Sequence, residues 1–227
     1  MRPRPFALER FFARTEFTAR HLLATSDCEG LTLDELLQLA DARLSEQWQQ
    51  LSLGYTESDG AAGLRAAVAA MYESVDPDEI LVAAPEEAVF LLMNALLEPG
   101  DHVVCTFPGY QSLYQLALTL GCEVSFWRPQ EGNAWRFDPS TLEDLMRPRT
   151  RLVVWNFPHN PTGALPDDES FRRMVASAAA RGAHIFSDEM YRLLEPSPAS
   201  RLPAAVDLYE KAVSLSGMSK VFGLAGL

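Results

Sequence analysis

Three short stretches carry residues that could do chemistry together: "NFPHNPTG" at 156–163, "SDEMY" at 187–191 and "SGMSK" at 216–220. Each has an ordinary explanation when taken alone. Asn160-Pro161-Thr162-Gly163 is good turn chemistry, Asp188 could cap a helix, Tyr191 could be plain packing, and a lone lysine such as Lys220 is usually a solvated surface charge. Their placement argues for more. Each stretch follows an apolar run, "RLVVW", "AHIF" and "KAVSL" in turn. Asn160 and Asp188 lie 28 residues apart, and Asp188 and Lys220 lie 32 apart, each close to one βαβ crossover of ~30 residues. Ligands of an open parallel sheet bind beyond the carboxyl ends of its strands, so this spacing directs an amide, an acid, a phenol and an amine to one crevice.

A partly desolvated lysine in such a crevice can form a Schiff base with a carbonyl. If the carbonyl belongs to pyridoxal 5′-phosphate, the cofactor must act as an electron sink, and a carboxylate keeps its ring nitrogen protonated. Asp188 has the right chemistry for that. The 3′-oxygen beside the imine needs hydrogen-bond donors, which a tyrosine hydroxyl and an asparagine amide supply; Tyr191 and Asn160 fit.

The elements that must position these residues are legible from about residue 80. Short β-rich runs, "ILVA", "HVVCTF", "CEVSFW", "RLVVW", "AHIFS" and "KAVSL", alternate with amphipathic stretches such as "PEEAVFLLMNALL", "YQSLYQLALTL" and "DESFRRMVASAAAR". Apolar strands separated by helical crossovers predict an α/β fold, with a mostly parallel sheet between two helix layers. Ahead of it, "TLDELLQLADARLSEQW" and "GAAGLRAAVAAMY" read as helices flanking a loop, "LSLGYTESDG". The organisation expected is an N-terminal arm and helix over 1–50 and a cofactor-binding large domain over 51–227.

Composition narrows the partners. With 48% hydrophobic and 22% charged residues the chain can bury a substantial core. A net charge of −12 argues against general affinity for nucleic acid or an anionic membrane surface. Cys28, Cys105 and Cys122 form no CxxC pair, and two of them lie in strand-like runs, as buried reduced thiols do. No apolar run approaches the ~20 residues of a membrane span. The start "MRPRPFALERFFARTEFTAR" lacks a signal-peptide core, and Glu9 and Glu16 weigh against a transit peptide. It reads as an amphipathic arm packing on a partner, in a cytoplasmic protein.

The motifs "NFPHNPTG", "SDEMY" and "SGMSKVFGLAGL" together resemble the signatures of class I/II pyridoxal-phosphate aminotransferases of fold type I, over about Tyr55 to Leu227. The resemblance implies that Lys220 carries the cofactor as an internal aldimine, that Asp188 meets the pyridine nitrogen, and that Tyr191 and Asn160 meet the 3′-oxygen. "FPGYQS" resembles the segment whose aromatic ring stacks on the cofactor, implying Tyr110. The tyrosine of "GYTESDG" resembles one that reaches the phosphate of a partner subunit, implying Tyr55 and a homodimer. Substrates implied are an amino acid and a 2-oxo acid, with no metal.

The pattern also breaks. Where the family has a small-residue phosphate turn, this chain has Ala84-Pro85-Glu86. Pro85 has no amide hydrogen and a carboxylate repels phosphate, yet proline and acids suit a helix start. Pro85 and Glu86 are therefore expected to open a helix with Glu86 pointing outward and the free amides facing the phosphate. Gly217 stands where many members carry a phosphate-binding serine, for which Ser219 or Ser216 could substitute. Ser26-Asp27-Cys28 replaces a glycine-containing turn near the substrate carboxylate. The family's next arginine, a further strand and a small C-terminal domain would follow "GLAGL", so the chain reads as a fragment with weak or no activity of its own. Two other readings stay open: a lyase, cyclase or decarboxylase with the same cofactor, and a non-catalytic interaction protein that keeps the scaffold.

Overall fold

The computed structural model describes residues 3–226. Five strands form one sheet: β1 (His102–Thr106), β2 (Glu123–Trp127), β3 (Thr150–Asn156), β4 (His184–Asp188) and β5 (Ala212–Leu215). All pair in parallel in the order β2-β1-β3-β4-β5. The central strands have no solvent-facing side, which is why they read as unbroken apolar runs. Alternate residues serve opposite faces. Val104, Val153 and Ile185 join one buried cluster with Phe171 and Met174, while Val103, Val154 and Phe186 join another with Val89 and Met93.

Those partners belong to the covering helices. α5 (Pro85–Leu96) and α6 (Ser112–Leu120) cover one face, and α7 (Pro139–Leu145) and α8 (Asp168–Ala180) cover the other. Aspartates start the second pair: Asp138 accepts from Ser140 N at 2.8 Å, and Asp167 from Ser170 N at 2.8 Å, satisfying amides that a helix start leaves free. The expected three-layer α/β/α arrangement is thus present. α9 (Met218–Val221) follows β5 and carries Lys220.

Upstream lie α1 (Ala7–Thr15), α2 (Leu33–Gln38), α3 (Ala42–Gln49) and α4 (Ala62–Ala69). The stretch expected to form one helix from Thr32 onward is instead two. Asp41 accepts from Leu44 N at 2.7 Å and so caps a second helix where the first has ended at Leu39. A second difference concerns "ILVA": Ile80 to Ala83 belongs to no strand among the described residues. The Val82 amide donates to Asp59 O at 2.9 Å, so a loop takes the hydrogen bond that a neighbouring strand would have taken. Cys105 and Cys122 are buried thiols, as expected, and all three cysteines are free. Among the described residues, no helix is long and apolar enough to cross a membrane and no group of side chains could hold a metal ion.

Candidate active site

Asn156 ends β3 and Asp188 ends β4, and the parallel register sets them side by side. Asn156 locks the rim together. Its Nδ2 donates to Asp188 O at 3.0 Å, and its Oδ1 accepts from Asn160 N at 2.7 Å. Asn160 in turn donates through Nδ2 to the Tyr191 hydroxyl oxygen at 3.1 Å. The amide and the phenol singled out in the sequence are therefore direct neighbours.

Asp188 is 7% exposed. One carboxylate oxygen accepts from Met190 N at 3.1 Å, and no cation pairs with it among the described residues. Burial pushes its pKa up to about 7, helped by the charges of Glu189 and Glu86 and opposed by the Met190 amide. Such a carboxylate is poised to gain from a positively charged hydrogen-bond donor placed against it.

These groups share one cavity of about 410 Å³ with Lys220, Ser219 and Tyr110. The Lys220 ammonium forms an ion pair with Asp27, which reaches in from the segment between α1 and α2. That segment is docked on the α9 turn: Leu31 N donates to Gly223 O at 3.1 Å. Gly223 has φ of +65°, and a Cβ there would stand 2.6 Å from Glu29 O, so only glycine allows the approach.

Tyr110 follows β1, and His159 ties its turn to the Asn160 turn. His159 Nε2 lies 2.9 Å from Pro108 O and must donate to that carbonyl, leaving Nδ1 to accept from Thr162 Oγ1 at 2.7 Å. Burial pushes the His159 pKa down to about 4, keeping the ring neutral and the bridge intact at neutral pH. Sequence reading missed both Asn156 and His159. A polar residue closing an apolar strand, and a histidine inside a Pro-rich turn, were the available signals.

The phosphate end differs from expectation. Pro85 does open α5, with no side-chain cap at Ala84, so the free first-turn amides remain available. Glu86, however, lines the cavity instead of pointing outward. Ser112 Oγ donates to its carboxylate at 3.1 Å, and burial raises its pKa; this hydrogen bond turns the side chain inward. Ser219 lines the cavity, whereas Ser216 is half-buried outside it. Gly217 has a local reason: a Cβ there would stand 2.8 Å from Met190 Sδ and Cε. Tyr55 is fully exposed and lies outside the cavity.

The arrangement fits pyridoxal 5′-phosphate at its ring end. An unneutralised buried acid, two adjacent hydrogen-bonding groups and a primary amine surround a hollow large enough for the ring. Ala84, Pro85 and Ser219 would border the phosphate, with Glu86 as an acidic neighbour.

Comparison with known proteins identifies the family. A family model described as aminotransferase class I and II matches residues 21–227. Capreomycidine synthase of Streptomyces vinaceus is 33% identical over 97% of this chain and 57% of its own length. A solved PLP-dependent aminotransferase from Streptococcus suis superposes with a TM-score of 0.90 at 33% identity, covering all of this chain and 61% of its own. The PLP-dependent cyclase OrfR superposes with a TM-score of 0.87 at 30% identity, over all of this chain and 59% of its own. The chain thus spans about 60% of the length of these relatives. With the motif residues gathered at one sheet rim and the family model matching nearly the whole sequence, this chain belongs to the class I and II aminotransferases, whose cofactor is pyridoxal 5′-phosphate.

Proposed function

We propose that the chain forms the cofactor-binding part of an enzyme that moves an amino group from an amino acid to a 2-oxo acid. One observation carries this reading: Asp188, buried and with no cation partner among the described residues, shares a cavity with the Asn160–Tyr191 pair and the amine of Lys220.

Bound pyridoxal phosphate would supply the electron sink that lets an amino acid lose its α-proton. The protein does the rest. Asp188 would accept a hydrogen bond from the ring N–H and hold that proton in place. Asn160 and Tyr191 would donate to the 3′-oxygen; Asn156 keeps the Asn160 turn fastened to β4 while they do so. Lys220 would hold the cofactor through its side-chain amine, and the same nitrogen, when free, would serve as the base that carries the substrate's α-proton. Tyr110 would lie over the ring. Tyr55, exposed outside the cavity, would reach a partner's phosphate in a homodimer. A cytoplasmic setting accords with the free thiols.

Absorbance provides the test. The chain with added pyridoxal phosphate should show a visible or near-ultraviolet band that borohydride bleaches, absent in Lys220→Ala. A wild-type chain without such a band would sink the proposal. Because the chain spans about 60% of its relatives, weak or no transamination is expected from it alone, and measurable turnover would refute that expectation. A second reading keeps the cofactor and changes the reaction, supported by the match to a cyclase over all of this chain and 59% of the cyclase. Product formation by the whole protein that consumes no 2-oxo acid would favour it.

A further inference from the structure

α1 begins without a cap of its own, since Phe6 offers no side-chain acceptor. The missing partner comes from the turn that follows β1. Gln111 Oε1 accepts from Ala7 N at 3.0 Å, and Gln111 Nε2 donates to Pro5 O at 3.1 Å. One residue earlier in that turn, the Tyr110 hydroxyl donates to Glu9 Oε1 at 2.9 Å, and its ring centroid stands 4.8 Å from that of Phe6. None of the residues of α1 is buried, so these contacts, and not apolar burial, hold the helix against the cavity mouth.

We propose that Glu9 is a positioning residue: its carboxylate fixes the phenol of Tyr110, and with Gln111 it latches α1 over the cofactor cavity. The proposal rests on the reading that Tyr110 lies against the cofactor ring. A tyrosine ring turns about two side-chain bonds. Anchoring its hydroxyl removes that freedom before a ligand arrives, so less ordering is left for binding to do. Phe6 blocks one side of the ring and Gln111 fixes its backbone neighbour, leaving the cavity side as the surface on offer. Leu8 and Phe12 then close the wall above it.

The experiment uses the whole chain, pyridoxal phosphate as the probe, and two readouts: cofactor affinity by absorbance titration, and trypsin cleavage at Arg10 and Arg14 in the cofactor-free chain. Glu9→Leu removes the acceptor and should weaken cofactor binding about fivefold, the scale of ordering one freed side chain on binding. It should also speed cleavage within α1. Glu9→Gln keeps an acceptor oxygen and should stay within about twofold of the wild type, since the neutral bond still anchors the hydroxyl. Tyr110→Phe should reproduce Glu9→Leu, and the double variant should lose no more than either. Should Glu9→Leu fail to fold, Tyr110→Phe with the same two readouts tests the latch. Wild-type affinity in Glu9→Leu, equal losses in Glu9→Gln and Glu9→Leu, or additive losses in the double variant would each overturn the proposal. A wild-type chain that binds no cofactor would instead overturn the reading beneath it, while the cleavage rates would still decide whether Glu9 holds α1.

Discussion

Asp188 and Asp27 reach the same cavity from scaffolds of opposite kinds. Asp188 ends a central strand, hydrogen-bonded on both flanks and backed by two apolar layers. Asp27 stands in a stretch where no described residue before Ala69 is buried. The groups that would meet the cofactor ring therefore sit on the part of the molecule whose geometry packing determines. The groups that close the cavity sit on a segment held by individual polar contacts. A catalytic rim needs fixed distances, whereas the wall that admits a substrate must be able to move.

Deleting a side chain from each part should expose the difference at its largest. Trp155 is fully buried, and its Nε1 donates to Ser187 Oγ at 2.8 Å. Trp155→Ala is expected to cost about 3–5 kcal/mol, the usual loss for an aromatic core truncation. Leu8→Ala, at a residue 45% exposed on α1, should cost less than about 1 kcal/mol. Denaturant titration measures both; comparable losses would show that α1 shares the core's stability.

The pH dependence of the cofactor-free chain sharpens the point at the rim itself. Asp188 has its pKa raised from 3.8 to about 7, so the folded chain keeps a proton that the unfolded chain releases. Its contribution is complete below the unfolded value and disappears as pH rises through the folded one. Stability should therefore fall by about 1.4 kcal/mol per pH unit between the two values. Asp188→Asn removes this slope. Glu189, whose pKa burial also raises, adds a slope of the same sign, so the wild-type-minus-variant difference is the quantity to read. An unchanged slope in the variant would mean that Asp188 is not the buried proton site.

What the sequence disclosed follows the same division. The strands and their covering helices were readable because parallel strands in a covered sheet are mostly apolar, the central ones most of all, and their helices must carry one apolar stripe. Asn160, Asp188, Tyr191 and Lys220 followed from the rule that ligands sit at strand ends. "ILVA" misled because β-branched composition says nothing about whether a neighbouring strand exists. The inward turn of Glu86 was not legible, since it depends on Ser112, 26 residues away and brought near only by the fold. Nor were the contacts of Glu9 and Asp27, polar pairs across 101 and 193 residues, which leave no periodic trace.

Gly217 lies on the fixed side of the comparison, where β5 passes into α9 against Met190. Its φ of −166° is ordinary extended backbone, so any cost of a side chain there comes from space alone. Gly217→Ala places a methyl 2.8 Å from the end of Met190. Met190 is flexible and can yield, so the loss should be about 1 kcal/mol, at the low end for overpacking. A smaller loss from Gly217→Ala in a Met190→Ala background than in the wild type would confirm the contact; equal losses in the two backgrounds would refute it.

The smallest effect concerns the ion pair joining the two parts. Lys220 and Asp27 keep 25% and 42% of their side-chain surfaces exposed, so their attraction is screened and worth at most about 1 kcal/mol. Breaking it should barely alter folding. On the proposed reading Lys220 would have to leave Asp27 to hold a cofactor, and whatever the pair contributes would be lost at that moment. Asp27→Asn should therefore bind pyridoxal phosphate more tightly, by no more than about fivefold, the ratio that 1 kcal/mol sets. Weaker binding in Asp27→Asn, read by absorbance titration, would make Asp27 part of the cofactor's own surroundings and move it to the fixed side of the comparison.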